Sequence, residues 1–309
     1  MTISRRCCVL QLSDLHGGHW LGLYNPDTTL WRSGVEADDE TGVVTMLDPE
    51  PYTPTPTAMQ RWLWQCYQED LVEAMVIADG DPLAVTLGGD LAHGDKYSDG
   101  IMDSNKANQL EIAMRAMAPL YELDNLHAVY VILGTEAHNW GEGALELEVA
   151  ARMRSEHPSV VTEPHHHAGV HIGDVWLDIA HHGASKGIRS WTSGNQMRYY
   201  TRSLMQNRVN RWKRPPNVVT RGHYHSWWRE LVTVEPDWHC WSVLLPAYCG
   251  ITPHARKSTR SEQWQTCGAA LIEVVDNGVR EVHRLGGAER EIDLVERVYP
   301  FGKGWGTNA

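Results

Sequence analysis

The chain has 309 residues, 42% of them apolar, and a formal net charge of −12 at pH 7. This is enough material for one large core, so one domain over 1–295 with a tail over 296–309 is the simplest organisation. The acidic balance argues against a surface coated with positive charge for duplex nucleic acid, and no stretch approaches the roughly 20 apolar residues of a membrane span.

The first predicted element is a core strand at 7–13. Arg5 and Arg6 precede it as in a signal peptide, but the apolar run is too short and leads directly into Asp14. The six cysteines contain no C-x-x-C pair, and a chain of this size needs no disulfides. We therefore expect reduced thiols and a cytoplasmic location.

Apolar strands alternate with helical stretches over the next two hundred or so positions. Strands that are apolar throughout, with helices between them, indicate parallel pairing with both faces of the sheet covered. The predicted strands are 7–13, 82–88, 127–133, 170–180 and 216–222. The predicted helices are 58–78, 104–123, 143–155 and 194–212.

Two regions differ from this alternation. The segment 17–57 fits no regular element, and a loop of this length is uncommon inside a compact domain. Because it directly follows Asp14-Leu15-His16, a candidate metal-binding motif described below, we expect it to lie near the mouth of a functional site. Later segments alternate in polarity and are joined by turns such as Asp276-Asn277-Gly278, which predicts a second, largely antiparallel sheet. These segments are 227–234, 238–245, 267–275 and 279–285.

Four short histidine and aspartate motifs each follow an apolar run, where a buried strand would end. Carboxylate oxygens and imidazole nitrogens suit divalent metals, and a carboxylate that can bridge suits a pair of them. The set therefore predicts a hydrolytic metal centre. The motifs are Asp14-Leu15-His16, Gly88-Gly89-Asp90, His181-His182-Gly183 and Gly222-His223-Tyr224-His225.

In this order the motifs resemble those of the calcineurin-like metallophosphoesterases, whose blocks read D-x-H, G-D, G-N-H, a single H and G-H-x-H. Four of the five blocks are matched over 14–225, and the variant third block looks similar to phage and prophage members. The resemblance implies an α/β fold, an α+β sandwich, in which two mixed β-sheets pack together and are flanked by helices. It also implies two divalent metal ions, and manganese, iron or zinc would each suit this ligand set.

The resemblance also implies a role for each block. Asp14 and His16 hold the first ion, and Asp90 bridges the two ions, which makes it part of the catalytic machinery. His223 binds the second ion and His225 the first.

The adjacent His181 and His182 compete for one ligand position. Neighbouring strand residues face opposite sides, so only one of the two imidazoles is expected to reach a metal. We favour His182 because it immediately precedes Gly183, and the family's block often reads His-Gly.

The third block departs from the family pattern. After an apolar run the chain reads Gly134-Thr135-Glu136-Ala137-His138, so Thr135 replaces the asparagine ligand. Three repairs stay open: the Thr135 hydroxyl ligates, Glu136 swings in, or a water fills the gap. His138 is the candidate general acid for the leaving group, oriented by Glu142, with a metal ligand or a surface residue as alternatives.

Basic residues concentrate between the last two motifs. Ten lysines or arginines and no acidic residue lie from Lys186 to Arg229, which leaves 17 basic against 39 acidic residues elsewhere, a net of −22. Arg198 and Arg202, four apart on a predicted helix, are candidates for binding substrate phosphate. A solvated face whose arginines pair with carboxylates is the alternative. The 14 tryptophans, against one phenylalanine, suit packing or base stacking, and their spacing singles out no stacking platform.

These features predict a dinuclear metal-dependent phosphoesterase in which water held between the ions as hydroxide cleaves phosphodiesters of nucleic acid or nucleotides. The expected partner is thus a phosphate ester such as DNA or a nucleotide, not a membrane. A phosphomonoesterase acting on a nucleotide or phosphoprotein is the nearest alternative. A degenerate member that binds metal or nucleic acid without turnover is another, and a structural phage component is a third.

Overall fold

The chain folds as two mixed β-sheets that stack face to face, with helices on both outer faces, which confirms the predicted fold class. This computed structural model describes residues 6–32, 34–37, 44–97, 100–141, 144–185, 187, 192–252, 265–287 and 290–292. Its helices are α1 Ala58–Ala78, α2 Lys106–Met117, α3 Ala144–Glu156 and α4 Asn195–Val209, with a short 3-10 helix at Ala118–Glu122. None of these described helices has the length and apolar composition of a membrane span.

The described strands number 17, from β1 near the amino terminus to β17. They are β1 Arg6–Leu12, β2 Leu30–Arg32, β3 Val35–Ala37, β4 Val44–Met46, β5 Glu50–Tyr52, β6 Leu83–Leu87, β7 Leu126–Ile132, β8 Val161–His165, β9 His167–Ile172, β10 Val175–Ala180, β11 Val218–Arg221, β12 Trp228–Val234, β13 Trp238–Leu244, β14 Gln265–Thr266, β15 Ala270–Val275, β16 Gly278–Arg284 and β17 Glu291–Ile292.

The first sheet has six strands in the order β16-β15-β1-β6-β7-β8. Strands β1, β6, β7 and β8 run parallel, and β15 pairs antiparallel with β1. The second sheet has five strands in the order β12-β13-β11-β10-β9, with β10, β11 and β13 parallel. Parallel strands require crossovers, and the described helices supply several of them.

Three apolar layers hold the sandwich together. Alternate residues of a strand face opposite sides, so Leu10 and Leu12 of β1 pack against α1 to α3, whereas Val9 faces the second sheet. Leu177 of the second sheet belongs to the same inter-sheet layer as Val9. A third cluster joins α4 to the outer face of β11 to β13. The carboxyl ends of the central strands are thereby fixed relative to one another.

Helix α1 begins and ends where the sequence predicts it. Thr57 and Gln60 form a capping box, each side chain bonding the other's backbone N–H, and Asp79 ends the helix in the left-handed region at φ 50°. Gln60 also donates from Nε2 to the His19 carbonyl at 3.2 Å. The helix start thus fixes part of the segment that follows β1.

Three predicted segments, one strand, one loop and one helix, differ in detail from the structure. The single strand predicted at 170–180 is a hairpin, because Gly173 adopts φ 57° and reverses the chain between β9 and β10. The segment 17–57 contains two short ladders, β2 with β5 and β3 with β4. The longer 104–123 helix divides into α2 and the 3-10 turn that contains Pro119.

The strands after position 226 do not form a sheet of their own. The hairpin β12–β13 extends the second sheet at β11, and the hairpin β15–β16 extends the first sheet at β1. Each hairpin satisfies the backbone N–H and C=O groups along one side of a parallel strand, which a separate sheet would have left unpaired. The predicted second antiparallel sheet is therefore replaced by two mixed sheets.

Candidate metal centre

The predicted motifs converge where the carboxyl ends of five parallel strands meet. Three of the strands, β1, β6 and β7, belong to the first sheet, and β10 and β11 belong to the second. Each strand leads into a loop whose polar residues lie beyond the last sheet pairing. The centre therefore combines side chains from both halves of the sandwich.

The first group consists of Asp14, His16 and His225. His225 Nε2 lies 3.1 Å from Asp14 Oδ1 and 3.2 Å from His16 Nε2. The other carboxylate oxygen, Asp14 Oδ2, accepts hydrogen bonds from the Ser13 hydroxyl at 2.5 Å and the His223 N–H at 3.0 Å. Asp14 is thus anchored through Oδ2, while Oδ1 faces the imidazoles of His225 and His16.

The second group consists of Asp90, His181 and His223. His181 Nδ1 lies 2.7 Å from the Gly88 carbonyl, which can only accept, so this nitrogen carries the hydrogen. His181 Nε2 is then directed at Asp90 Oδ2, 3.1 Å away. A carbonyl that fixes the tautomer and ring orientation is the usual outer support of a histidine that binds metal.

Asp90 belongs to both groups. One potential ligand atom from each of Asp14, His16 and Asp90 falls within 4.8 Å of the others, and the same holds for Asp90, His181 and His223. Asp90 Oδ1 accepts hydrogen bonds from the Thr135 N–H at 2.6 Å and the Thr135 hydroxyl at 3.0 Å. The carboxylate is therefore held in place between two sets of histidines.

Close backbone packing supports this placement. A Cβ on Gly134 would lie 2.2 Å from Asp90 Oδ1, so only glycine lets the loop after β7 reach the carboxylate. Five of the clustered residues adopt left-handed backbone conformations, with φ between 47° and 70°. Each costs on the order of 1 kcal/mol for a residue with a side chain, and such strain concentrates at functional sites. These residues are Asp14, His16, Asp90, His223 and His225.

The two buried carboxylates, Asp14 and Asp90, make the centre favourable for positive charge. Burial tends to raise the pKa of Asp14 and of Asp90, but the neighbouring imidazoles outweigh it and lower both. Burial tends to lower the pKa of His181, but Asp90 and Asp14 outweigh it and raise that pKa to about 10. A divalent cation would supply such positive charge, and this oxygen and nitrogen set fits one.

His16 meets a different requirement of a metal ligand. Burial, followed by the charges of His138 and His225, keeps the pKa of His16 well below its usual value. Its imidazole therefore stays neutral, which is the form that donates an electron pair to a metal.

Next to the first group, the structure places His138 and a histidine that the sequence did not single out, His93. His138 Nδ1 lies 2.5 Å from the His93 carbonyl, so Nδ1 donates and Nε2 is left for other chemistry. The ring centroids of His16 and His138 are 4.5 Å apart. Potential ligand nitrogens of His16, His93 and His138 lie within 4.8 Å of one another. The only signal for His93 is its position three residues after Asp90.

The structure differs from the sequence interpretation at the paired histidines. His181 is buried and directed at Asp90, whereas His182 is exposed and packs its ring against His181 and His223. The preference for His182 is therefore replaced by His181. In the third block, Glu136 is exposed, Thr135 lies against Asp90, and Glu142 lies outside the described residues.

The predicted substrate-binding arginines lie on α4, and they differ in their surroundings. Arg198 forms a two-pronged ion pair with Glu230, with N···O distances of 2.7 and 2.6 Å. We therefore withdraw Arg198 as a phosphate ligand. Arg202 is exposed and forms no salt bridge within the described part of the chain.

The basic stretch from 186 to 229 does not border the centre as one surface. Arg221 is fully buried and ion-paired with Asp178 at 2.6 Å, and Arg229 pairs with Glu281. Arg211, Lys213 and Arg214 follow the far end of α4. Lys186 and Arg189 lie outside the described residues.

No protein-family profile matches the chain, and no curated protein matches it in sequence. Among solved structures, it is similar to the sulfate thiohydrolase SoxB of Thermus thermophilus in complex with glycerol, with a TM-score of 0.36 and 12% sequence identity. The match covers 93% of this chain and 56% of SoxB, so this chain spans little more than half of that protein. A similarity at this level says nothing about activity, and the function proposed for this chain rests on its own residues.

Proposed function

We propose that this chain is a metal-dependent phosphoesterase that hydrolyses phosphodiester bonds, in nucleic acid or nucleotides, at a centre for two divalent ions. Asp14, His16, Asp90 and His225 would hold one ion. Asp90, His181 and His223 would hold the other. The order of motifs along the chain, which resembles that of the calcineurin-like metallophosphoesterases, supports the same assignment.

The observation that carries the proposal is the shared position of Asp90. A carboxylate that belongs to two histidine groups is what a pair of metal ions requires, because it can give one oxygen to each. A purely structural Asp–His pair would explain one imidazole beside Asp90. It would not explain a second buried carboxylate, Asp14, whose Oδ1 faces two further imidazoles, those of His225 and His16.

Two divalent ions, when bound, would activate water for attack on phosphorus and neutralise charge on the phosphate oxygens. The chain's own residues position the ligands. Ser13 and the His223 N–H hold Asp14, the Gly88 carbonyl orients His181, and Thr135 holds Asp90. His138 is placed to give a proton to the leaving oxygen from Nε2, since its Nδ1 is engaged by the His93 carbonyl.

Thr135 motivates a second candidate function, a chain that binds metal without turnover. Its hydroxyl and N–H both serve Asp90, so the position that is asparagine in the resembled family supplies support for a carboxylate. In that case the chain would retain its ions and leave activated esters intact.

The test is hydrolysis by metal-stripped protein reloaded with Mn²⁺, with bis(p-nitrophenyl) phosphate and p-nitrophenyl phosphate as paired substrates. Asp90→Asn should abolish diester cleavage. Asp79→Asn is the matched control, because Asp79 is also an aspartate in the left-handed region, at φ 50°, and it lies at the end of α1. Activity on the monoester alone would favour a phosphatase. Hydrolysis of neither ester by protein that retains its metal would favour the binding-only function.

A further inference from the structure

Trp212, just beyond the end of α4, is unusual in two respects: its side chain is exposed, and its backbone is left-handed. Trp212 is 98% exposed. Its backbone has φ 55°, and the bonds Trp212 N–H to Val209 O and Lys213 N–H to Arg208 O form a Schellman turn. Glycine is the usual residue at that position, because a side chain there costs on the order of 1 kcal/mol. Neither packing nor turn geometry accounts for an indole at this place.

Three basic residues adjoin Trp212 in the chain. Arg211, Lys213 and Arg214 are exposed, and none of the three forms a salt bridge within the described residues. A cavity of about 630 Å³ is lined by Lys213 and Arg214 together with Trp212, Trp238 and Glu235, among others. On a chain of net charge −12, this is a local concentration of positive charge next to an open aromatic face.

Helix α4 leads along the chain from the end of β10, where His181 lies, to this patch. The helix follows the loop that carries His181, and its 15 residues run back for about 22 Å toward the amino ends of β10 and β11. Tyr199, 64% exposed, and Arg202 lie on that face. The chain has no acidic residue from Lys186 to Arg229, so the helix adds no repulsive charge of its own.

We propose that the exposed face of α4 and the patch at Trp212 form a docking track for a single strand of nucleic acid. Unpaired bases offer faces that stack on an indole, and the phosphates between them match Arg211, Lys213 and Arg214. An acidic peptide would satisfy the cations but would leave the indole without a stacking partner. A strand stacked at 3.4 Å per nucleotide would need about seven nucleotides to cover the length of α4.

This inference rests on the proposed function only for its substrate class, and its test does not require turnover. Binding of a labelled oligothymidylate of about 12 nucleotides is measured by fluorescence anisotropy in EDTA at several salt concentrations. If the chain binds the strand through Trp212 but cleaves no diester, the proposed function is contradicted and the docking track is still supported. If the chain cleaves diesters but Trp212→Ala binds the strand as well as wild type does, the docking track is contradicted and the proposed function is still supported.

The variants have distinct expected signatures. Trp212→Ala should weaken binding about tenfold without changing the salt dependence, because stacking is lost and no charge is removed. Replacing Lys213 and Arg214 together by serine should reduce the slope of log affinity against log salt by about 1.4. Glu235→Gln should tighten binding, a gain that misfolding cannot produce.

Trp31→Ala and Arg154→Ser are the matched controls. Trp31 is 55% exposed on β2, and Arg154 is an exposed arginine on α3. Neither change should alter binding. Wild-type affinity in Trp212→Ala, an equal loss in Trp31→Ala, or equal competition by polyglutamate of the same length would each overturn the proposal, the last in favour of an acidic protein partner.

Discussion

A single hydrogen bond orients His181, and not its neighbour His182, toward Asp90. The Gly88 carbonyl accepts from His181 Nδ1 and directs Nε2 to Asp90. Gly88 is 93 positions away in the chain. The motif alone could show that one of two adjacent imidazoles faces the centre, because neighbours point to opposite sides, but the selecting partner comes from another strand end.

The two histidines should therefore respond differently to removal. We expect His181→Ala to weaken metal affinity by more than the roughly 10- to 100-fold that loss of an outer partner costs. His182→Ala should leave metal affinity within a few-fold of wild type. Calorimetric titration of the metal-stripped variants measures both, and a larger loss for His182→Ala would reverse the ligand assignment.

His138 has a role that leaving-group chemistry can isolate. If it protonates the departing oxygen, His138→Ala should slow esters with poor leaving groups by about 10²- to 10⁴-fold. Activated nitrophenyl esters need little protonation and should lose much less. Rates across a series of diesters of increasing leaving-group pKa give the comparison, and equal losses along the series would remove His138 from this role.

At the scale of elements, apolar strands, their order and their polar carboxyl ends were predictable, because each is local in the chain. The places where Asp14, Asp90 and His223 leave their strands follow from that pattern. The position of the hairpin β15–β16 could not be predicted from the sequence, because its pairing with β1 joins residues more than 250 positions apart. His93 was missed for the same reason, since only folding brings it beside His138.

The crossover from β10 through α4 to β11 is held by a buried ion pair. Arg221 Nη2 donates to Asp178 Oδ1 at 2.6 Å and to the Tyr200 hydroxyl at 2.8 Å. Asp178→Asn would leave the fully buried guanidinium without its counter-charge. We expect a loss of about 3–5 kcal/mol in the free energy of unfolding at pH 7, measured by urea denaturation. Asp174→Asn, a nearby exposed aspartate, is the control and should change stability little.

This difference should depend on pH in a defined direction. Burial tends to raise the pKa of Asp178, but the hydrogen bonds from His167 and Arg221 outweigh it and lower the pKa below 3.8. A lowered pKa gives stability that is complete above the unfolded value of about 3.9 and is lost as pH falls through the folded value. The gap between wild type and Asp178→Asn should narrow below about pH 4. A gap that stays constant into acid would contradict the ion pair as its source.

At the scale of the molecule, the centre joins the two sheets. Asp14 and Asp90 follow strands of the first sheet, whereas His181 and His225 follow strands of the second. Ions bound to both sets would cross-link the halves of the sandwich and stabilise only the folded chain. At 100 times the dissociation constant, one site contributes about 2.7 kcal/mol.

Thermal unfolding should therefore shift upward when Mn²⁺ is added to metal-stripped protein. The shift should persist in Asp79→Asn and shrink in Asp90→Asn. Scanning calorimetry with and without EDTA measures the change. An unchanged transition temperature in protein that has taken up its ions would mean that they do not link the sheets.

The central claim is that Asp90 is shared by two metal ions, and the most direct measurement is the number of ions bound per chain. Native mass spectrometry of metal-stripped protein, reloaded with Mn²⁺ or Zn²⁺, counts them without reference to activity. We expect two ions in the wild type and in Asp79→Asn, and at most one in Asp90→Asn. A saturated wild-type chain that holds fewer than two ions, or an Asp90→Asn chain that still holds two, would contradict the dinuclear centre.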